Sequence, residues 1–274
     1  MKTLSQYAIA GTMMLGLLTF AACGGGEDGS SEQASSSSSE TTSTEEEGGS
    51  STGLKMVEEP GENWGTLTGS VKFEGSAPDP VTAPRNSQCG IKKGDPLNRI
   101  KIDEEKGIVQ NALVYLDGVK TAIKGELPPK SLTIDQEKCI FRPRWTYLLR
   151  KNGVVTVKNS DPELHNFRYR GSSDFGAKGN KNQAPGAKPI NIEMNGSEWV
   201  NFECNVHPWM IGMMRVSEHH AVARTGDDGS FSFDVEPGDY TLVVNHPELD
   251  DPVTTDVTVP KGDSTEQNVS VSFK

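Results

Sequence analysis

Three side chains that can bind a soft metal stand in one short stretch of the sequence, FECNVHPWM at residues 202–210. Cys204, His207 and Met210 are spaced three residues apart and offer a thiolate, an imidazole and a thioether. Thiolate and thioether sulfur select Cu(I), whereas imidazole suits several transition metals, copper among them. The alternative is a packed strand in which Cys and Met are only apolar side chains. A metal site would need a further ligand from another part of the chain.

His165 is the candidate for that ligand. It follows a strand-like run and a polar turn in VVTVKNSDPELHNFRYRG, residues 154–171. Two imidazoles and a thiolate in a trigonal plane, with a weak axial thioether, are the ligands of a blue-copper electron-transfer site. The set His165, Cys204, His207 and Met210 therefore predicts one type 1 copper ion that carries single electrons. A copper-delivery protein, and a β domain without metal that serves adhesion or carbohydrate binding, are the alternatives.

The segments around these residues are predicted to be short strands. They are rich in Val, Thr, Phe and Tyr, and several alternate between apolar and polar residues. The clearest are LTGSVKF, NALVYL, SLTI, VVTVKN, EWVNFEC, SFSFDV and YTLVV. KNGV, DDGS and EPGDY are turn signals between them, and no segment has a sustained helical period. The pattern predicts an all-β sandwich or barrel, in which Cys204 ends a strand and His165 comes from a neighbouring one.

The stretch CNVHPWM resembles the Cys-x-x-His-Pro-aromatic-Met ligand loop of cupredoxins, above all the amicyanin-like ones. NSDPELHN is similar to the segment before their first copper histidine, and SEWVNFEC to the strand that delivers the copper cysteine. A plastocyanin-like loop is longer and would place the axial ligand at Gly212, so Met210 is the better assignment. The resemblance implies an eight-stranded or similar Greek-key sandwich, here bounded at residues 128–217.

The same resemblance implies roles for single residues. Asn166 is expected to hold the ligand loop and to hydrogen-bond near the Cys204 sulfur, outside the set of direct ligands. His165 would be the buried histidine, whereas His207 would lie in an exposed loop and act as the electron port. Trp209 is expected at an apolar rim beside His207, with a buried aromatic as the alternative.

Two further groups could compete for metal. Met213 and Met214 are alternative axial ligands, but the apparent strand IGMMRV favours packing for both. His219 and His220 could form a second metal site, but we expect them in a solvated connection because no His-x-His pair accompanies them.

A second resemblance concerns the rest of the chain. ARTGDDGSFSFDVEPGDYTLVV, residues 223–244, resembles the second half of a carboxypeptidase regulatory-like domain, a small transthyretin-like β-sandwich. LTGSVKF and NALVYL fit the first half of that family but precede the cupredoxin-like stretch. The resemblance implies a discontinuous domain, residues 61–127 and 218–274, into which the cupredoxin-like unit is inserted. The alternative is serial order, with a cupredoxin from about residue 61 to 217 and a truncated sandwich after it.

The first residues are typical of an export signal. Lys2 is followed by an apolar run from Ala8 to Phe20 that is too short to span a membrane. TFAAC resembles a bacterial lipobox, although Phe20 stands where that motif usually has Leu. We expect a signal peptide at residues 1–22, lipidation of Cys23 and attachment to a bacterial membrane on the periplasmic or cell-surface side. The alternative is an ordinary secretory signal, which would leave the chain free in an exported compartment.

Residues 23–60 are predicted to be a disordered acidic tether, because Ser, Gly, Thr and Glu cannot bury enough surface to offset ordering entropy. Removing residues 1–22 removes only Lys2 among the charged residues and changes the net charge from −11 to −12. So acidic a chain is a poor candidate for binding nucleic acid. The expected partners are redox proteins, and no nucleophile elbow or zinc-peptidase motif indicates an enzyme.

Cys89 and Cys139 remain if Cys23 carries lipid and Cys204 binds copper. An exported protein is in a compartment that permits disulfides, so we predict a bond between them. Two unpaired thiols are the alternative.

Overall fold

The computed structural model describes residues 53–273, apart from residues 77, 80, 98–100, 144 and 175. The predicted signal peptide, the lipidation of Cys23 and most of the predicted tether lie outside these described residues.

The described residues confirm the all-β prediction. Their regular elements are strands, apart from one 3-10 turn at Lys124–Glu126. In chain order the strands are β1 (Lys55–Val57), β2 (Gly65–Phe73), β3 (Val81–Thr82), β4 (Pro96–Leu97), β5 (Lys101–Asp103), β6 (Ile108–Gln110), β7 (Leu113–Asp117), β8 (Thr121–Ile123), β9 (Ser131–Glu137), β10 (Ile140–Arg142), β11 (Thr146–Arg150), β12 (Gly153–Asn159), β13 (His165–Gly171), β14 (Lys178–Gln183), β15 (Ile190–Met194), β16 (Trp199–Glu203), β17 (Ile211–Ser217), β18 (Val222–Arg224), β19 (Ser230–Val235), β20 (Gly238–Asn245), β21 (Val253–Val259), β22 (Ser264–Glu266) and β23 (Val269–Val271). In this part of the chain, no helix has the length and apolar character needed to cross a membrane.

The strands from β9 to β17 form two sheets around one core. One sheet has the order β10-β9-β12-β15 and the other has the order β11-β17-β16-β13-β14. Successive strands cross between the sheets, as β11, β12 and β13 do, which is typical of Greek-key sandwiches. Buried side chains from both sheets belong to a single apolar cluster. The two sheets therefore form a β-sandwich.

Aromatic side chains fill the centre of this first sandwich. Phe141, Phe167 and Phe202 are almost completely buried, and the ring centroids of Phe141 and Phe167 lie 5.1 Å from that of Phe202. The alternation of apolar and polar residues along β12 and β13 explains why one face of each strand is buried. Truncating such a ring to Ala typically costs about 3–5 kcal/mol, so this cluster holds the sheet that carries the ligand strands.

Most of the remaining strands form a second pair of sheets with a separate core, whereas β1 with β8 and β3 with β4 form two small two-stranded sheets. One sheet has the order β18-β7-β20-β21, and the other has the order β19-β2-β6-β5 with β22 and β23 also paired to β2. Gly69 on β2 has no room for a side chain, because a Cβ atom would overlap the Gln267 carbonyl oxygen. The strands of these sheets come from both sides of the segment that forms the first sandwich.

Two segments differ from the predicted organisation. The prediction of a disordered tether through residue 60 is wrong for Lys55–Val57, which pair in parallel with β8 as strand β1. β1 and β8 form a sheet of their own, and Lys55 N also donates to the O atom of Lys120, just before β8, at 2.8 Å. The residues between β3 and β4 were predicted to belong to the discontinuous domain of residues 61–127 and 218–274. They instead pack on the core of the first sandwich through Ala83, Cys89 and Ile91.

Candidate metal centre

The three strong donors predicted from the sequence meet at one point. The Nδ1 atoms of His165 and His207 lie 3.7 and 3.8 Å from Cys204 Sγ and 2.9 Å from each other. The three residues are at most 1% exposed. They form one of the compact groups of metal-binding side chains in the described residues.

The hairpin between β16 and β17 positions two of the donors. Glu203 and Ile211 pair at its base, so residues 204–210 form the connecting loop. Cys204 N donates to Met210 O at 2.9 Å, and Met210 N donates to His207 O at 2.8 Å. Pro208, which lies between His207 and Met210, fixes its own backbone φ angle and so restricts the loop further. The loop is therefore closed on itself, with Cys204 and His207 turned toward the same centre.

Strand β13 supplies the third donor at its first residue, His165. β13 and β16 are antiparallel neighbours, which places the start of β13 beside the ligand loop. Asn166 N donates to Cys204 Sγ at 3.5 Å, and Asn166 Oδ1 accepts from Asn205 N at 2.7 Å. Asn166 thus ties β13 to the loop and directs an N–H group at the sulfur, the location that its predicted role requires.

Met210 is fully buried in the first core at the end of the ligand loop. Met213 and Met214, the alternative axial ligands, lie within β17, where they pair in register with Asn201 and Val200. Both are almost fully buried, so their packing within the sheet agrees with the expectation from the sequence. Among these methionines, Met210 alone belongs to the loop whose backbone holds Cys204 and His207.

The donor geometry fits a three-coordinate first-row metal ion with one adjustment. With metal–nitrogen and metal–sulfur bonds of about 2.0 and 2.3 Å, ligands 120° apart would place N and S about 3.7 Å from each other. The distances of 3.7 and 3.8 Å from Cys204 Sγ match this value. The same geometry requires about 3.5 Å between the nitrogens. The Nδ1 atoms of His165 and His207 are 2.9 Å apart, so the two rings would have to separate slightly to hold the ion.

Two carboxylates on the far side of the histidines were not assigned from the sequence. Asp161 Oδ2 lies 2.9 Å from His165 Nε2, and Glu163 Oε2 lies 3.1 Å from His207 Nε2. Asp161 also accepts from the backbone N–H groups of Lys138 and Cys139, at 2.6 and 2.8 Å, so its position is fixed. The Asp161 carboxylate on His165 Nε2 keeps the proton there and leaves Nδ1 free to bind a metal. The signal was present, since both acids precede His165 within NSDPELHN.

Burial lowers the pKa of His207, and the neighbouring charges of His165 and Arg85 act in the same direction. The Glu163 carboxylate opposes them and raises it. The net direction favours the neutral imidazole, which is the form that can bind a metal ion.

The expected exposure of His207 is wrong, and Trp209 is the buried aromatic that was the alternative to an apolar rim. Both side chains are buried, at 0% and 2% exposure. Arg85 lies over them: its Nη2 donates to Val206 O at 2.6 Å, and its Cζ is 5.9 Å from the Trp209 ring centroid. Trp209 Nε1 donates to Cys139 O at 2.9 Å, which turns the ring inward. The segment between β3 and β4 therefore covers the histidine that was expected to form an exposed electron port.

Cys89 and Cys139 form a disulfide with a Cα–Cα distance of 5.6 Å. It lies beside the metal centre, because Cys89 Sγ is 3.9 Å from His165 Nε2 and both sulfurs are 3.4 Å from Glu163 Oε2. The bond joins the covering segment to the turn between β9 and β10.

His219 and His220 do not lie in a solvated connection, and that expectation is wrong. They are 3% and 5% exposed. His220 Nδ1 accepts a hydrogen bond from Ile123 N at 3.2 Å, so this ring binds the backbone at the last residue of β8. His219 stacks near Tyr115, with ring centroids 4.8 Å apart, and burial lowers its pKa to about 3. The guanidinium carbon of Arg215, on β17, lies 3.6 Å from the centroid of the Tyr115 ring, on β7, so this pair joins the two sandwiches.

No family model matches the sequence, and no curated protein matches it. Solved structures do show likeness over part of the chain. A copper-containing nitrite reductase from Thermus scotoductus SA-01 matches at 18% identity and a TM-score of 0.29, over 34% of this chain and 23% of that one. An amicyanin variant in its reduced Cu(I) form matches at 16% identity and a TM-score of 0.29, over 34% of this chain and 88% of that one.

A purple cupredoxin from Nitrosopumilus maritimus matches at 18% identity and a TM-score of 0.26, over 31% of this chain and 98% of that one. The chain thus spans about a quarter of the nitrite reductase and most of each small copper protein. The likenesses concern about a third of this chain and are too weak to carry its function. The assignment below rests on the donor atoms. The resemblance of the second sandwich to a regulatory-like domain remains a prediction.

Proposed function

We propose that this protein carries single electrons through one type 1 copper ion bound by His165, Cys204, His207 and Met210. The observation that carries the proposal is the meeting of two imidazole nitrogens and one thiol sulfur, all buried, with both sulfur–nitrogen distances matching those of a trigonal site. When bound, the copper ion supplies a centre that alternates between the +1 and +2 states.

The chain's own residues would keep the ligands in one arrangement. The hydrogen bonds of Met210 close the loop, Asn166 ties the loop to β13, and Asp161 fixes the His165 ring. A rigid donor set suits rapid electron transfer, because neither oxidation state then requires large movement of the ligands. Burial excludes water from the donors and favours a permanently held ion over one that is handed to another protein.

We also propose the wider organisation expected from the sequence. The cupredoxin-like unit, residues 128–217, would be inserted into a transthyretin-like domain formed by residues 61–127 and 218–274, from which the segment between β3 and β4 extends to pack on the inserted unit. Support comes from the separate cores of the two sandwiches and from the strands of the second, which come from both sides of the first.

Lipid on Cys23 would hold the protein at a bacterial membrane, facing the periplasm or the cell surface, where redox proteins would be its partners.

Copper titration of the metal-free full chain tests the proposed function. Copper(II) should give an intense blue band that saturates at about one equivalent and bleaches reversibly on reduction. The Cys204→Ser variant should lose the band, and Ser217→Ala, a buried change at the end of β17 away from the loop, should keep it. Tight Cu(I) binding without the band would favour copper delivery, and absence of stoichiometric copper would favour a metal-free β domain.

The expectation that the protein is not an enzyme stays a prediction. One of the similar solved structures is a nitrite reductase, so reduction of nitrite by the copper-loaded chain should be measured beside the titration. We expect electron exchange without turnover of nitrite.

A further inference from the structure

The segment between β3 and β4, residues 83–95, forms a loop over the metal centre that we call the cover loop. β3 and β4 pair only with each other among the described strands. The loop is held together by its own backbone bonds, such as Ala83 N to Asp95 O at 2.9 Å and Ser87 N to Ile91 O at 2.8 Å. The cover loop is therefore a small local unit outside the large sheets.

Few polar contacts fasten the cover loop to the metal centre. Arg85 donates to Val206 O at 2.6 Å, and Gln88 N donates to Glu163 Oε2 at 3.1 Å. Gln88 and Arg85 are exposed, so water can compete for both hydrogen bonds. The Cys89–Cys139 disulfide is the covalent link between this loop and the first sandwich. Its two cysteines differ in exposure: Cys89 is half-buried, whereas Cys139 is completely buried.

We propose that this disulfide is a modification site for a dithiol reductant, and that its reduction releases the cover loop and opens the metal centre. One thiolate of the reductant attacks Cys89 Sγ, on the more exposed cysteine; the bond to Cys139 breaks, and Cys139 leaves as a thiolate that takes up a proton. The second thiol of the reductant then attacks the mixed disulfide and frees Cys89 as a thiol. The reductant becomes a disulfide, and two electrons and two protons have passed to the protein.

Release of the loop would remove Arg85 from Val206 and Trp209 and expose the edge of His207. Loss of a cross-link raises the freedom of the opened segment, while the sheets beneath keep their own hydrogen bonds. Only the consequence for copper rests on the proposed function: the opened centre would exchange its ion and meet a partner at His207. The opening itself is a property of the metal-free chain.

Alkylation of Cys204 in the metal-free full chain tests the opening without copper. Cys89, Cys139 and Cys204 lie on three different tryptic peptides, so mass spectrometry follows each thiol separately. Iodoacetamide should modify Cys204 at least about tenfold faster in the Cys89→Ser/Cys139→Ser variant, or after dithiothreitol treatment, than in the oxidised chain. Arg85→Gln, which keeps the disulfide but weakens the contact with Val206, should change the rate by about twofold at most.

Hydrogen exchange read on the same samples separates opening from unfolding. Protection should fall in residues 83–95 and 204–210 and stay high in β9 and β12, whose residues lie in the large sheets. An unchanged Cys204 rate in the fully reduced chain would overturn the proposal. So would a loss of protection across β9 and β12 in both the reduced chain and the double variant, because the loop would then not be a separable unit. Neither outcome depends on whether copper binds.

Discussion

Asp161 Oδ2 lies 2.9 Å from His165 Nε2, the ring nitrogen opposite the one that faces Cys204. Asp161 is itself held by two backbone N–H groups in the turn before β10. This chain of contacts sets the position and the tautomer of a proposed ligand from outside the ligand set. Its importance can be measured directly.

Replacing Asp161 by Asn should weaken copper binding by about 10–100-fold, because the amide cannot hold the His165 N–H as strongly as a carboxylate does. Competition with a Cu(I) chelator measures the change. Asp135→Asn is the matched control, since Asp135 accepts from Ser160 Oγ on the neighbouring surface and touches no proposed ligand. Equal affinities for the two variants would remove Asp161 from this role.

The assignment of Met210 as axial ligand predicts a change of potential with retention of the blue colour. In Met210→Leu, the strong ligands remain, while loss of the thioether should raise the reduction potential, as weaker axial ligation favours Cu(I). Redox titration followed in the visible band measures the potential. Met213→Leu, a buried change on β17, should leave it unchanged. A shift in the control that equals the shift in Met210→Leu would contradict the assignment.

Because of buried His219, the folded protein should lose stability in acid. The pKa of His219 is lowered from 6.5 to about 3 by burial, so the unfolded chain binds a proton below about pH 6.5 that the folded chain does not. Stability from this residue is complete above that pH and is lost as the pH falls toward 3. Across two pH units within this range, the unfolding free energy should change by about 2–3 kcal/mol.

Urea unfolding at pH 6.5 and pH 4.5 measures the effect in the metal-free chain. The drop between the two pH values should be smaller by about 2 kcal/mol in His219→Phe, which cannot take up a proton. His219→Gln, polar but equally unable to titrate, should show the same smaller drop. If both variants keep the full drop, the acid sensitivity comes from other groups.

Gly212, on β17 just after the ligand loop, lies where there is no room for a side chain. An added Cβ would overlap the Phe202 ring and lie 2.9 Å from Trp145 O. Gly212→Ala should therefore lower the unfolding free energy by about 1–3 kcal/mol through overpacking. Gly125→Ala is the control, since a Cβ there meets nothing within 4 Å. Similar unfolding free energies for the two variants would contradict the packing described around Phe202.

The strand pattern and the ligand loop were readable from the sequence because their signals are local. Alternation in VVTVKN and turn residues in KNGV and DDGS predict strands and their ends without knowledge of the partners. The spacing of Cys204, His207 and Met210 lies within one hairpin, so it too is a local pattern. His165 needed one long-range step, which the pairing of β13 with β16 supplies.

What the sequence missed depends on contacts between distant segments. Arg85 contacts Val206, the neighbour of buried His207, across 121 residues of chain (206 minus 85), and no periodicity predicts such a meeting. His219 was expected in a solvated connection because no His-x-His pair accompanies it, but the Tyr115 ring of the second sandwich packs against it. The strand at Lys55–Val57 depends on its pairing with β8, more than 60 residues later, which composition alone does not reveal.

X-ray absorption at the copper edge of the loaded full chain tests the central claim most directly. The account predicts one short copper–sulfur distance from Cys204 and two imidazole nitrogens from His165 and His207, with nearly the same distances in the oxidised and reduced states. The short sulfur distance should disappear in Cys204→Ser. A copper ion surrounded only by nitrogen and oxygen in the unaltered protein, or a large change of coordination on reduction, would contradict the account.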